Sequence, residues 1–321
     1  MYQRFKKYRN LFVAGIVGFA VLTTNAVVGQ TTEQLTSEYH PWKWQPNART
    51  FAMGTPMTGI TNQLNDMYAN PALLSFQEVT KSISISQNYY WTQGVIAENV
   101  TIPVLTNRTF PLAVGFTAHH SGLDPIEANQ PLKKFSRFDG HIGGAVKVSN
   151  TVSLGALVQM NHNMASDNYK RSASALAGAY YAPSPGVSYG IRYHYYEDDV
   201  AFRSDFSGEE ALMESRDVPN LIEVGTSMRF PEVSESPLVI LSFASEKRSS
   251  QSGVTYKGGI EYHPLSLIDF RAGYLHGPNY VGGRYGIGLK LGRQFQVDIA
   301  HGPGYVGRSV TTINLQIHLP E

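Results

Sequence analysis

The 321-residue sequence predicts an all-β protein. The expected fold is a transmembrane antiparallel β-barrel of about fourteen strands, preceded by a short N-terminal segment that plugs its lumen. Three observations carry this. Apolar and polar residues alternate with a period of two over many segments of membrane-spanning length, long and short connections alternate along the chain, and no apolar run beyond the N-terminus could cross a bilayer as a helix.

Residues 1–29 read as a signal peptide. Arg4, Lys6, Lys7 and Arg9 precede an apolar run over 11–22, which is shorter than the roughly twenty residues a transmembrane helix needs. Small residues near Ala26 and Gly29 offer a cleavage site, so the expected destination is the bacterial outer membrane. The chain has no cysteine, which excludes disulfides, a lipid-modified N-terminal cysteine and thiol chemistry. A net charge of +1 gives no basis for a nucleic-acid partner.

Residues 30–80 show no strand alternation and form the expected plug segment, with the barrel over 81–321. Fourteen strands are predicted near 81–91, 95–105, 110–121, 136–149, 151–163, 171–182, 186–197, 219–230, 236–246, 254–263, 266–276, 281–291, 293–302 and 309–319. The last shows the rule clearly: Ile313, Leu315, Ile317 and Leu319 alternate with Thr312, Asn314, Gln316 and His318. Only the ninth is ambiguous, because Leu238-Val239-Ile240-Leu241 is apolar on both parities. The polar parity collects Lys257, Glu261, Asp269, Arg271, Arg284, Lys290 and Asp298 as candidate lumen charges, structural or gating. A soluble sandwich would also bury an apolar face, but it gives no reason for long connections at 122–135 and 198–218 to alternate with short ones.

Neither a phosphate loop nor a metalloprotease motif is present, and the sequence gives no sign of catalysis, a metal or a cofactor. His119-His120-Ser121 is the nearest approach to a nucleophile and base, but neighbouring strand residues face opposite sides. Tyr180, Tyr181, Tyr189, Tyr193, Tyr195 and Tyr196 read as an interfacial aromatic belt. The acidic stretch 198–218 reads as a solvated outer loop.

The stretch before the first strand contains Met53-Gly54, a polar segment over 62–66, and Tyr68-Ala69-Asn70-Pro71-Ala72-Leu73. This block resembles the N-terminal signature of the FadL-like outer-membrane proteins, and particularly their PorV/PorQ branch. The resemblance implies a fourteen-stranded barrel with its N-terminal segment in the lumen, and it marks Met53, Gly54, Tyr68, Asn70, Pro71 and Ala72 as candidate plug or ligand residues. It also implies a non-enzymatic role in type IX protein secretion, with other secretion components or exported proteins as partners beside outer-membrane lipid. The alternative it leaves open is a FadL-like transporter of a small hydrophobic molecule.

Overall fold

The computed structural model describes residues 47–54, 63–76, 82–90, 95–107, 109–121, 135–165, 168–196, 200–202, 214–216, 220–232, 237–249, 252–278, 280–303 and 309–319. The expected signal peptide lies outside them, as do most of residues 122–135 and much of 198–218.

Sixteen strands follow the N-terminal segment: β1 (Ser82–Tyr90), β2 (Val95–Leu105), β3 (Leu112–Ser121), β4 (Phe135–Lys147), β5 (Val152–Ala165), β6 (Asn168–Ser184), β7 (Val187–Tyr196), β8 (Val200–Phe202), β9 (Glu214–Arg216), β10 (Leu221–Phe230), β11 (Val239–Arg248), β12 (Val254–Leu265), β13 (Ile268–Gly277), β14 (Tyr280–Leu291), β15 (Phe295–Pro303) and β16 (Ser309–His318). All but β8 and β9 form one closed antiparallel barrel, fourteen strands in chain order, with β1 sealed to β16 from Ser82↔His318 to Tyr90↔Val310. Closure leaves no strand edge unpaired, which is the condition for placing a sheet in hydrocarbon. β8 and β9 pair only with each other, within the stretch that the sequence assigns wholly to a solvated loop. The ninth predicted strand shifts to 239–248: Ile240 points inward and is buried, while Val239 and Leu241 are half-buried on the other face.

The alternation places the polar parity inside. Along β16, Thr312, Asn314 and Gln316 are wholly buried and Ile313 is exposed. Along β7, Ser188 and Arg192 are buried, whereas Tyr189, Ile191, Tyr193 and Tyr195 are exposed. The tyrosine group therefore divides. Tyr181 stacks beside Tyr189 on the outer wall near the short turn 185–186, and Tyr193 and Tyr195 lie outside near the opposite rim, but Tyr180 and Tyr196 are buried in the lumen and do not belong to a belt. Their even numbers give the reason, since they share the parity of Arg192.

The connections 106–111, 148–151, 185–186, 231–238, 266–267 and 292–294 all lie at one end, the turn end, together with Ser82 and His318. The opposite, loop end carries 122–134 and the excursion that holds β8 and β9. Val224 and Ile191 face each other across β10 and β7 on the exposed apolar wall. A Val224→Arg substitution is expected to lower barrel stability by about 2–4 kcal/mol, the cost of a cation at mid-depth in lipid, read as a lower urea midpoint in lipid vesicles.

Candidate functional site

Three short elements of the N-terminal segment lie inside the barrel: helix α1 (Ala48–Ala52) and the 3₁₀ turns η1 (Leu64–Tyr68) and η2 (Pro71–Phe76). Asn47 caps α1 by accepting a hydrogen bond from the Thr50 amide at 3.2 Å. Its own amide nitrogen donates to Asp66 at 2.7 Å, and the second Asp66 oxygen accepts from the Gln63 amide at 2.9 Å. One carboxylate thus ties helix and turn into a unit, so elements too short to be stable alone hold each other in place.

That unit is fastened to the β12–β15 wall by charge. Arg49 donates to both oxygens of Glu261, from Nε at 2.6 Å and from its terminal nitrogen at 2.8 Å, with both side chains buried. Arg271 donates to Glu261 at 2.7 Å, to Asp298 at 2.5 Å and to Asp269 at 3.1 Å. Gln63 adds a hydrogen bond from the plug to the other Asp298 oxygen at 2.6 Å, and Lys290 donates to Asp269 at 3.1 Å. Arg49, Arg271 and Lys290 thus face Glu261, Asp269 and Asp298, and His263 bridges Glu261 at 2.7 Å and Asp269 at 2.5 Å. Close pairing is what makes burial of the Arg49, Arg271, Glu261 and Asp298 charges tolerable. Arg284, another predicted lumen charge, lies over the Phe51 ring at 4.1 Å.

The opposite wall, β2–β7, holds η1 and η2 mostly by shape. Leu64, Met67 and Leu74 pack with Ala113, Ala145, Leu157 and Leu176, and Ala72 and Leu73 pack with Tyr180. The Tyr68 hydroxyl bonds to Thr101 and to Asn99, each at 3.0 Å, and its ring meets His141 edge-on. Burial pushes the Tyr68 phenol well above its usual range, so it stays protonated and can both donate and accept. Asn70 accepts from the Ala72 amide and donates to the Ala179 carbonyl, both at 3.1 Å, and the Ser153 hydroxyl donates to the Ala72 carbonyl at 2.7 Å.

Glycines on the lumen parity let the plug backbone reach the wall. A side chain at Gly259 or Gly273 would collide with the Met53–Gly54 backbone, and one at Gly155 with the Pro71–Ala72 backbone. Gly54 itself has φ +79, a conformation that disfavours residues with a Cβ.

The six candidate plug residues are therefore not one site. Met53 and Gly54 lie against β12 and β13, Tyr68 against β2 to β4, and Asn70, Pro71 and Ala72 against β5 and β6. Five of the seven lumen charges join the plug network, Arg284 covers Phe51, and Lys257 stands apart with Glu223 and Glu246. Sequence reasoning passes over Arg49, Gln63, Arg192, Glu223 and Glu246. The last three lie on the polar parity of their strands, so an alternation count over β7, β10 and β11 would have collected them. His119 points inward to Asp139 at 3.0 Å, while the side chains of His120 and Ser121 lie outside the described residues.

The closed wall, apolar outside and polar within, and the short N-terminal elements inside it are the architecture of an outer-membrane-type barrel. No model of a protein family and no curated protein sequence matches the chain. Solved structures do match. The toluene transporter TbuX of Ralstonia pickettii superposes with a TM-score of 0.63 at 12% identity, over 86% of this chain and 98% of that one. The toluene transporter TodX of Pseudomonas putida gives 0.60 at 11%, over 84% and 96%. A FadL homologue of Pseudomonas aeruginosa gives 0.57 at 14%, over 85% and 98%. At these identities the likeness is one of fold: the chain has a FadL-type outer-membrane barrel fold.

Proposed function

We propose that the protein is an outer-membrane channel for small hydrophobic compounds, gated by the segment that carries α1, η1 and η2. The observation that carries this reading is the two-sided seating of the plug: ion pairs to β12–β15 on one side and a mainly apolar contact with β3–β6 on the other. An apolar compound that enters the contact around Leu64, Met67 and Leu74 replaces protein by ligand at little cost in desolvation, whereas a polar one would lose its hydration there. The shared fold with structures described as toluene transporters supports the same reading. Transport, the second choice from sequence alone, thus takes precedence over secretion, which rests on the Met53-Gly54 to Leu73 block.

The test is uptake by cells stripped of their own general porins, with radiolabelled toluene and a sugar of similar size as probes. Expression of the protein is expected to raise toluene uptake severalfold over sugar uptake. Equal uptake with and without the protein, together with copurification of an exported protein, would overturn the proposal in favour of the secretion role.

A further inference from the structure

Above the plug, toward the loop end, lies a second group of buried charges on β7, β10, β11 and β12. The Lys257 ammonium donates to Glu223 at 2.7 Å and to Glu246 at 2.5 Å, and Arg248 Nε donates to the other Glu246 oxygen at 2.6 Å. Glu223 also accepts from Arg192 at 3.1 Å. All five side chains are buried. Among the described residues, Arg192, Lys257 and Arg248 converge on the two carboxylates Glu223 and Glu246.

Arg192 is the member of this group that touches the plug. Its second terminal nitrogen donates to the Ala69 carbonyl at 3.2 Å, next to the Asn70-Pro71 step where η1 ends and η2 begins. Its Nε, buried with the rest of the side chain, has no hydrogen-bond partner among the described residues. The guanidinium therefore divides its donors between a wall carboxylate and a plug carbonyl and leaves one donor unused. Such a group responds to any redistribution of charge around Glu223.

We infer that Arg192 is a positioning residue that couples the state of the outer charge group to the plug: what happens at Arg248, Glu246 and Lys257 reaches Ala69 through Glu223 and Arg192. Glu223 is shared, so each change in what Lys257 takes from it changes what it offers Arg192. Arg248 and Lys257 both lie near the loop ends of their strands, where a compound arriving from that end meets them before the plug. A compound with an acceptor for the Lys257 or Arg248 donors changes what Glu223 offers Arg192. This inference rests on the reading of the plug as a gate, but its test reads the position of the plug rather than transport.

Because the chain has no cysteine, Ala69→Cys and Ala52→Cys each install a single thiol, the first beside Arg192 and the second beside the Arg49 network. Thiol labelling by a water-soluble maleimide is followed in whole barrels reconstituted in vesicles, and scored on the fraction that keeps the mobility of a folded barrel. Arg192→Gln is expected to speed labelling at position 69 by about tenfold, the size of effect for a lost hydrogen bond from a charged donor. Arg248→Gln and Lys257→Gln, which act on the wall carboxylates Glu246 and Glu223, are expected to change the rate at 69 by roughly threefold or more and leave position 52 as it was. Labelling at 69 that responds to Arg192→Gln alone makes Arg192 a local hold and overturns the coupling. An unchanged rate in all three variants overturns the inference entirely, while toluene uptake remains free to succeed or fail.

Discussion

A Gly273→Val variant is expected to keep a closed barrel and lose its seated plug. The new side chain would meet the Met53 and Gly54 backbone, which has no rotamer to give. The wall cannot easily yield either, because Gly273 is paired on both sides, to Gly259 and to Arg284. Overpacking of a well-filled contact costs about 1–3 kcal/mol when side chains can adjust, and a backbone-to-backbone collision lies at the upper end of that range. The cheaper response is for α1 to leave its place, releasing Arg49 from Glu261. Planar-bilayer conductance should rise severalfold, and a single Ala52→Cys thiol should change from protected to readily labelled. Gly140→Ala is the control, because nothing lies within 4 Å of a Cβ at that position. Equal conductance in the Gly273→Val and parent barrels would remove the argument that this glycine seats the plug.

Glu261→Gln is expected to be the most damaging single change among the lumen charges. Glu261 is wholly buried and accepts from Arg49 and Arg271 together, so its neutralisation leaves two guanidinium groups facing an amide. Removing one partner of a buried ion pair costs about 3–5 kcal/mol. Arg271 retains Asp269 and Asp298, whereas the wall carboxylate bound to Arg49 is gone, so most of the loss falls on the plug. Thiol labelling at position 52 should accelerate by about a hundredfold or more, with a smaller fall in the urea midpoint of the barrel. Pairing the change with Arg49→Met removes the stranded plug cation, and the double variant should be less labile than Glu261→Gln alone. A double variant whose two effects simply add would show that Arg49 and Glu261 act independently, against the 2.6 Å geometry.

Much of this molecule is legible in its sequence because the code of a barrel strand is local. Residue parity alone places Asn314 and Gln316 inside and Ile313 outside, and both the number of barrel strands and their approximate limits follow from repeating that reading along the chain. It fails where both parities are apolar, as at 238–241, and where a residue type suggests a role that its parity denies, as at Tyr180 and Tyr196.

The Met53-Gly54 and Tyr68-to-Leu73 phrases lie in the segment found inside the barrel but do not say which wall each part meets. That depends on contacts between residues far apart in the chain: Arg49 with Glu261, 212 positions away, and Gln63 with Asp298, 235 away. Likewise, parity assigns Lys257 and Arg271 to the lumen alike, yet one belongs to the outer charge group and the other to the plug network. The sequence by itself determined a closed barrel with a polar interior and a separate N-terminal segment, because alternation is written residue by residue into every strand. Only the tertiary structure decided which charges hold that segment and which glycines admit it, because closing the barrel fixes the relative height and facing of strands that the linear order leaves free.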